Sequence, residues 1–373
     1  MNKKVAFLLD GLGTRTHFIQ LKTLKEAGFD PKVITFLKAK EGYLKTKGEA
    51  GEFIIQLPYE RPKIMKKFSL KCAFALLNLL KGEKIHIVLT HRYKLLRYLW
   101  FCKFFYPELK IILHLVIAEA IKGWHQRFFF RRFRRLVDKI LVNSLALKEE
   151  LIKKNLAKEE EIELFYLGID LKEFEVELTK SDARNRFILP QDDFLFGMVA
   201  RFRKEKDHIG LIKAFKRLKE KGYQAKLVFV GDGPTLEVCQ ILTQQLGLER
   251  DIIYLGSLEP TEVPYLLKAL DAYVYATYRE GMPLAVLEAM AASLPIIATD
   301  AEGLPDIFQT DKKFGFLIPK GDVEGLAEAM ENIINLSEEE RKLWGSKAYE
   351  RVREDFSFEK LKERTLKLFY ELS

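Results

Sequence analysis

The chain of 373 residues has only three cysteines, and they lie far apart at Cys72, Cys102 and Cys239. An odd number of scattered cysteines excludes a disulfide framework and a cysteine-rich metal cluster. Glycine and proline number only 22 and 12, which excludes collagen-like and linker-dominated chains. The first apolar run breaks at Asp10, too early for a signal peptide, and no run approaches the ~18 residues of a membrane-spanning helix. We therefore expect a soluble, cytoplasmic globular protein.

Hydrophobic residues are abundant, at 48%, and the length suits two domains of roughly 100–200 residues each. Short runs that are apolar on both faces, such as Phe194–Val199 and Ala225–Val230, alternate with helical stretches in both halves. This alternation predicts parallel strands covered by helices on each side. The expected fold is α/β, with two doubly wound, Rossmann-like domains facing a central cleft. We place the domains at residues 1–175 and 176–357, followed by a helix at 358–373 that packs back toward the first domain.

Positive charge is concentrated in the first half of the chain. Residues 1–150 contain 30 Lys and Arg against 13 Asp and Glu, whereas residues 151–373 contain 32 against 40. The densest segment, Trp124–Ile140, interleaves aromatic and basic residues. One stripe at helical spacing would hold Phe129, Phe133, Leu136 and Ile140, with Arg127, Arg131, Arg132, Arg134 and Arg135 nearby. A basic amphipathic helix is typical of a surface that contacts anionic lipid. A core helix with solvated arginines and, less favoured, a nucleic-acid contact are the alternatives.

The most specific motif is a pair of carboxylates, Glu280 and Glu288, around a Gly-x-Pro turn. The segment follows a predicted strand and enters a predicted helix, whose first N–H groups and dipole favour a phosphate. Carboxylates accept hydrogen bonds from vicinal hydroxyls, so both glutamates suit a sugar or a ribose. An ordinary surface loop is the alternative.

Three weaker motifs accompany this pair. Arg201 and Lys206 follow a strand, and an arginine fork with a lysine charge suits a diphosphate. Gly231 and Gly233 form a turn after the next strand, where a nucleotide could approach the backbone closely. The segment Leu167–Asp170 precedes the domain boundary. Each of the three is common when it occurs alone.

Together, and in this order, the four motifs resemble the family 4 glycosyltransferases, which are retaining enzymes of the GT-B architecture. The resemblance covers nearly the whole chain and is densest over Phe196–Phe308. It implies transfer of a sugar from a nucleotide-diphosphate sugar to an acceptor hydroxyl. It assigns the donor sugar and phosphate to Glu280, Gly281, Met282, Pro283 and Leu284, the ribose to Glu288, and the diphosphate to Arg201 and Lys206. Gly13 falls where the family's N-terminal glycine loop approaches the donor phosphates.

Two departures from the family pattern are mild, with Ser293 in place of a glycine and Glu302 in place of another. The family's active-site histidine, which contacts the donor sugar, is harder to assign. His114 is the nearest candidate but lies about two positions early in an apolar run. His91 and His17 are further candidates, and each of the three histidines can instead be structural.

The expected mechanism uses no metal ion and no cofactor. There is no Asp-x-Asp motif beside a strand end, so Arg201 and Lys206 would stabilise the charge of the leaving diphosphate. The basic, aromatic first half favours a lipid-linked or envelope-glycan acceptor, as in lipopolysaccharide synthesis, with the protein peripheral at the inner face of the membrane. A soluble small-molecule acceptor and a non-catalytic binding protein are alternatives. A nicotinamide oxidoreductase is disfavoured, because Thr16 stands where the G-x-G-x-x-G motif needs its third glycine.

Overall fold

The computed structural model describes residues 3–9, 15–35, 53–57, 68–116, 121, 123–310 and 312–373. The chain forms two compact units, Met1–Leu167 together with Phe358–Ser373, and Gly168–Ser357. The sequence-based boundary after residue 175 therefore lies inside the second unit. The last helix belongs to the first unit.

The first unit is built on a parallel sheet with seven described strands in the order β3-β2-β1-β4-β5-β6-β7. The strands are β1 Lys4–Leu9, β2 Asp30–Thr35, β3 Ile54–Gln56, β4 Ile85–Thr90, β5 Lys110–Leu115, β6 Lys139–Val142 and β7 Ile162–Leu164. The helices, numbered along the chain, are α1 Arg15–Glu26, α2 Leu70–Gly82, α3 Tyr93–Phe105, α4 Trp124–Phe133, α5 Leu145–Lys153 and α14 Phe358–Glu371. One core packs α2 and α3 against the sheet, and a second packs α1 and α14. Burial on both sides explains the apolar runs at residues 5–9 of β1 and 111–113 of β5, near the middle of the sheet.

The second unit repeats this plan with six described parallel strands in the order β10-β9-β8-β11-β12-β13. The strands are β8 Phe194–Val199, β9 Ala225–Val230, β10 Ile252–Tyr254, β11 Ala272–Tyr275, β12 Ile296–Thr299 and β13 Gly315–Ile318. The helices are α6 Lys180–Arg186, α7 His208–Glu220, α8 Leu236–Gln245, α9 Val263–Ala269, α10 Leu284–Ala291, α11 Leu304–Phe308, α12 Val323–Ile334 and α13 Glu338–Asp355. The prediction of two doubly wound α/β units is confirmed.

Ser293 occupies a position that favours glycine, at the end of α10. Its φ is 57°, in the left-handed region. Its N–H donates to Met290 O, and the N–H of Leu294 donates to Ala289 O, which together form a Schellman motif. The same motif ends α8, where Gly247 has φ 67°. The family's glycine at position 293 is thus explained by backbone geometry.

We expect Ser293→Gly to stabilise the second unit by about 0.5–1 kcal/mol, because glycine removes most of the left-handed penalty of ~1–2 kcal/mol while increasing the entropy of the unfolded chain. Gly247→Ser is the matched reverse substitution, since a Cβ at Gly247 meets no atom within 4 Å. It should destabilise by a similar amount. Urea unfolding of both variants checks the prediction, and changes of the same sign would contradict it.

Candidate functional site

Three neighbouring strands of the second unit, β8, β11 and β12, end at the same edge of the sheet. Ligands of doubly wound sheets bind at such carboxyl ends. The side chains of Thr277 and Thr299 connect the loops there: the Thr277 N–H donates to Thr299 Oγ1 at 2.8 Å, and Thr277 Oγ1 donates to Glu205 O at 2.8 Å. The sequence motifs of residues 201–206 and 280–288 are thereby brought to one edge.

Lys206, Tyr275 and Glu280 form one hydrogen-bonded set at this edge. Lys206 Nζ forms an ion pair with Glu280 Oε2 and donates to the Tyr275 hydroxyl at 2.8 Å. That hydroxyl in turn donates to Glu280 Oε2 at 2.7 Å. Burial, and then the Glu280 carboxylate, raise the pKa of Tyr275 well above 10, so its hydroxyl keeps its proton. The set holds the Glu280 carboxylate in a fixed place.

Tyr275 is a residue that the sequence analysis missed. A tyrosine at the end of a buried strand has the sequence pattern of a core residue, and only the contact with Lys206 and Glu280 distinguishes it. Burial also raises the pKa of Tyr273, and the charges of Glu288 and Glu280 add to this effect. The structure therefore places the two predicted carboxylates, Glu280 and Glu288, around the same pair of tyrosines.

Arg201 differs from Lys206 in its environment. It follows β8, is exposed, and has no hydrogen bond or ion pair with any described residue. The Lys206 charge is already paired with Glu280. The two cations that the sequence grouped as a diphosphate-binding pair thus differ: Lys206 is paired with Glu280, and Arg201 has no partner in the described residues. Arg201 is the one available to an incoming anion.

The loop Gly281–Leu284 leads into α10. Met282 and Pro283 are buried, and the Met282 side chain packs inside the unit. A ligand at this loop would therefore meet the backbone of Met282, not its side chain. At the start of α10, the N–H groups of Val286 and Leu287 donate to Pro283 O. The N–H groups of Leu284 and Ala285 have no bond to another described residue and are able to bind an anion. Glu288 lies one turn into α10 and is half-buried.

Glu302 places another carboxylate beside this loop. Its Oε2 accepts from the Glu280 N–H at 2.8 Å, and the Gly303 N–H donates to Glu280 O at 3.2 Å. A Cβ at Gly303 would lie 1.7 Å from Gly281 O, so glycine is required there. The substitution that seemed mild in the sequence adds a negative charge next to Glu280. In the sequence, the only indication of this contact was the glutamate at position 302, where the family has a glycine.

Gly231 and Gly233 are required by a contact within the unit. Their φ values are +136° and +152°, and added Cβ atoms would lie 2.0 Å from Ala200 O and 2.3 Å from Phe202 O. The Phe202 N–H donates to Asp232 O at 3.0 Å, so the loops after β8 and β9 lie side by side. These glycines therefore position the segment that carries Arg201. Close approach of a nucleotide is not needed to explain them.

In the first unit, the three candidate histidines form a single cluster. The Nε2 atoms of His17 and His91 are 2.7 Å apart, and the rings of His91 and His114 are 4.7 Å apart. Burial lowers the pKa of His17 to about 4 and that of His114 to about 3. Burial lowers the pKa of His91 well below its ordinary value, and the neighbouring His114, His17 and Arg92 lower it further. All three are thus neutral at pH 7.

His114 is nearly fully buried in β5, and neither ring nitrogen has a hydrogen-bond partner in the described residues. Asn143, just after β6, is also fully buried, and both polar atoms of its side chain lack partners there. The structure brings the three candidate histidines together without selecting one. Gly13 lies outside the described residues.

The predicted helical stripe over Trp124–Ile140 is wrong. Helix α4 ends at Phe133, a short turn covers Arg134–Leu136, and Ile140 belongs to β6. Asp138, which follows this turn, is bonded to β5 and α3: its Oδ2 accepts from the Ile111 N–H at 2.8 Å and pairs with Lys103 at 3.1 Å. The side chain of α4 that packs into the core is Phe130.

The arginines of this segment have different environments. Arg131 donates to Asn155 O at 3.1 Å and to Lys154 O, and Arg134 pairs with Glu161 at 3.6 Å. Arg127 is half-buried, and its Nε has no partner in the described residues. Arg132 and Arg135 are exposed. No helix in the described ranges is long and apolar enough to span a bilayer.

Comparisons with known proteins agree with this architecture. Residues 13–173 match the family model "Glycosyltransferase Family 4", and residues 179–351 match "Glycosyl transferases group 1". A glycosyltransferase from Rickettsia africae superposes with a TM-score of 0.86 at 17% identity, covering 100% of this chain and 98% of that one. The structure of Anabaena Alr3699/HepE in complex with UDP and glucose superposes with a TM-score of 0.80 at 17% identity. The match covers 99% of this chain and 100% of that one. The fold is that of GT-B glycosyltransferases.

Among curated proteins, the capsular polysaccharide glycosyltransferase CapM of Staphylococcus aureus is 32% identical over 58% of this chain and 57% of its own length. An Escherichia coli galactosyltransferase named for GlcNAc-diphosphoundecaprenol is 28% identical over 72% of each chain. The chain spans about half the length of the first curated relatives it matches. With one family model matched in each half, the chain belongs to the family 4 glycosyltransferases.

Proposed function

We propose that this protein is a retaining, metal-independent hexosyltransferase that uses a nucleotide-diphosphate sugar. The main support is the charge arrangement after β8 and β11, where Lys206 and Tyr275 hold Glu280 while Arg201 has no ion pair with a described residue. A fixed carboxylate suits sugar hydroxyls, and an arginine without a partner in the described residues suits a diphosphate.

In this proposal, the acceptor hydroxyl attacks the anomeric carbon as the bond to the diphosphate oxygen breaks. The proton of the hydroxyl passes to the departing phosphate oxygen on the same face. Arg201 and the first N–H groups of α10 stabilise the charge that develops on the diphosphate. Glu280 orients the donor sugar, and Glu288 binds the ribose hydroxyls. His114 is the candidate for the histidine that contacts the donor sugar, with His91 and His17 as further candidates.

For the acceptor, we propose a lipid-linked or envelope glycan, with the protein peripheral at the inner face of the membrane. The relatives support this, since they include proteins named for capsular polysaccharide, for GlcNAc-diphosphoundecaprenol and for the lipopolysaccharide outer core. The exposed Arg132 and Arg135, with the half-buried Arg127, would face the anionic surface. A small soluble acceptor is the second candidate, because a Bacillus anthracis N-acetylglucosaminyl L-malate synthase is 29% identical over 60% of this chain.

A thermal-shift screen with UDP-, GDP- and ADP-sugars, with and without EDTA, tests the donor site. We expect a rise in melting temperature with one nucleotide, unchanged by EDTA and absent from Glu280→Ala. The absence of any shift would contradict a nucleotide-sugar site. A shift that EDTA abolishes would contradict metal independence.

Tyr275→Phe should lower kcat by about tenfold with a smaller change in KM, since it removes a hydrogen bond to a charged group, worth ~1.5–3 kcal/mol, from the set that holds Glu280. Tyr273→Phe is the matched control. Its hydroxyl bonds the backbone N–H and C=O of Val199, at 3.2 Å each, and does not contact the set. We expect the control to lose stability but to retain kcat. Equal kcat losses in both variants would argue against this role for Tyr275.

A further inference from the structure

Exposed phenylalanine and tryptophan rings collect on three helices of the first unit, α2, α3 and α4, and at Phe68 just before α2. Every phenylalanine and tryptophan with a large exposed side chain in the described residues lies within 68–129, with exposures from 41% to 79%. These rings, which we call the aromatic face, are Phe68, Phe74, Phe104, Phe105, Trp124, Phe128 and Phe129. Single exposed apolar side chains are ordinary, but a concentration of this kind marks an interaction surface.

The aromatic face extends continuously from α2 across α3 to α4. The half-buried Phe101 of α3 joins one end, with ring centroids 5.0 Å from Phe74 and 5.0 Å from Phe105. The half-buried Phe133 joins the other, at 6.4 Å from Phe104 and 6.3 Å from Phe129. Phe101 and Phe104 lie three residues apart on one helix, so the two groups adjoin.

The charge on these helices has one sign. Helices α2, α3 and α4 contain no Asp or Glu, and each contains at least two Lys or Arg. Arg132 and Arg135 are exposed next to the rings, and Arg132 lies over the Phe133 ring at 5.6 Å. A surface that combines exposed aromatic rings with cations matches the boundary between acyl chains and anionic headgroups.

We propose that the aromatic face inserts into the headgroup region of an anionic bilayer, and that its rings supply most of the binding. Membrane contact through arginine charge alone agrees less well with the structure, since Arg131 and Arg134 already bond to Asn155 O and Glu161 within the unit. A second copy of this chain is a poor partner for the aromatic face, because a symmetric contact would bring the positive charges of the two copies together. The inference concerns how the protein reaches its membrane. It holds whichever sugar is moved.

The test is sedimentation of the full chain with phosphatidylglycerol–phosphatidylcholine vesicles at 0.1 M and 1 M salt. We expect the wild type to bind at both, with only partial loss in high salt. Phe128→Ser with Phe129→Ser should weaken binding about tenfold or more at both salt concentrations. Arg132→Gln with Arg135→Gln should weaken it a few-fold at low salt and little at high salt. Val238→Ser with Ile241→Ser, exposed on α8 of the second unit, is the matched control and should bind as the wild type does.

Circular dichroism confirms that each variant is folded, and Phe104→Ser with Phe105→Ser provides a second pair on α3. Three results would overturn the inference: no binding by the wild type, complete release in 1 M salt, or unchanged binding by both aromatic pairs. A dimer in light scattering that the aromatic pairs abolish, without vesicle binding, would assign the face to a second copy instead. None of these readouts requires a donor or an acceptor, so failure here and failure of the proposed activity are separate outcomes.

Discussion

Arg201→Ala is expected to lower kcat/KM for the nucleotide sugar by about 10²–10³-fold, the usual effect of removing one group that stabilises charge developing in a transition state. Arg201 follows β8, is exposed, and has no ion pair with the described residues, so its charge is available to the diphosphate. Because Arg201 makes no hydrogen bond or ion pair with the described residues, the loss should come with little change in stability. Steady-state release of the nucleoside diphosphate measures the effect.

Arg203→Ala is the matched control for this experiment. Arg203 is exposed two residues further along the same loop and pairs with Glu205 at 3.7 Å. We expect its removal to change kcat/KM by less than about threefold, because an exposed ion pair contributes little free energy. Similar losses in both variants would show that the loop contributes general positive charge, and would contradict a specific role for Arg201.

The second large effect is a loss of stability in acid. Burial lowers the pKa values of His17, His114 and His208 to about 4, 3 and 4, whereas an unfolded histidine titrates near 6.5. Between these values the unfolded chain binds more protons than the folded chain. Stability is therefore full above about pH 6.5 and falls as the pH drops toward the folded pKa values. For the buried His114, the fall is about 1.4 kcal/mol per pH unit.

Urea unfolding at pH 7.5, 6.5, 5.5 and 4.5 measures this dependence. His114→Leu should flatten it by about the contribution of one histidine. His125→Gln replaces an exposed histidine outside the cluster and should leave the slope unchanged. If stability proves constant across this range, the histidines are not buried in the neutral form.

The fold could be predicted largely from local patterns. Strands buried on both sides are continuous apolar runs, and Phe194–Val199, Ala225–Val230 and Ala272–Tyr275 lie where those runs predict them. Elements with weaker patterns were missed. Strand β13 begins with Gly315, and glycine weakens the sequence pattern of a strand. The glycine is needed there because a Cβ would lie 1.9 Å from Ile296 O. Helix α3 is apolar and aromatic on most sides, which obscures its period.

The site was predictable where a motif carries the chemistry and less so where a tertiary contact does. The motif around Glu280 and Glu288, together with the family resemblance, predicted both carboxylates as site residues, and the structure places both near Tyr273 and Tyr275. The role of Tyr275 depends on a lysine 69 residues away in the chain, which no local pattern reveals. The segment after α4 likewise makes a contact that is distant in the chain, the bond from the Ile111 N–H to Asp138 Oδ2. Contacts between distant segments therefore decide which predicted residues act together.

The most direct test of the proposed activity is proton NMR of the sugar released when the purified protein turns over its nucleotide sugar, with Glu280→Gln in parallel. A retaining transferase with an α-linked donor should release the nucleoside diphosphate and a sugar that is first seen as the α anomer. Glu280→Gln should slow release by about 10²-fold or more. A β anomer would contradict retention. Turnover by Glu280→Gln at the wild-type rate would contradict the site, and no turnover of any nucleotide sugar would contradict the proposed function itself.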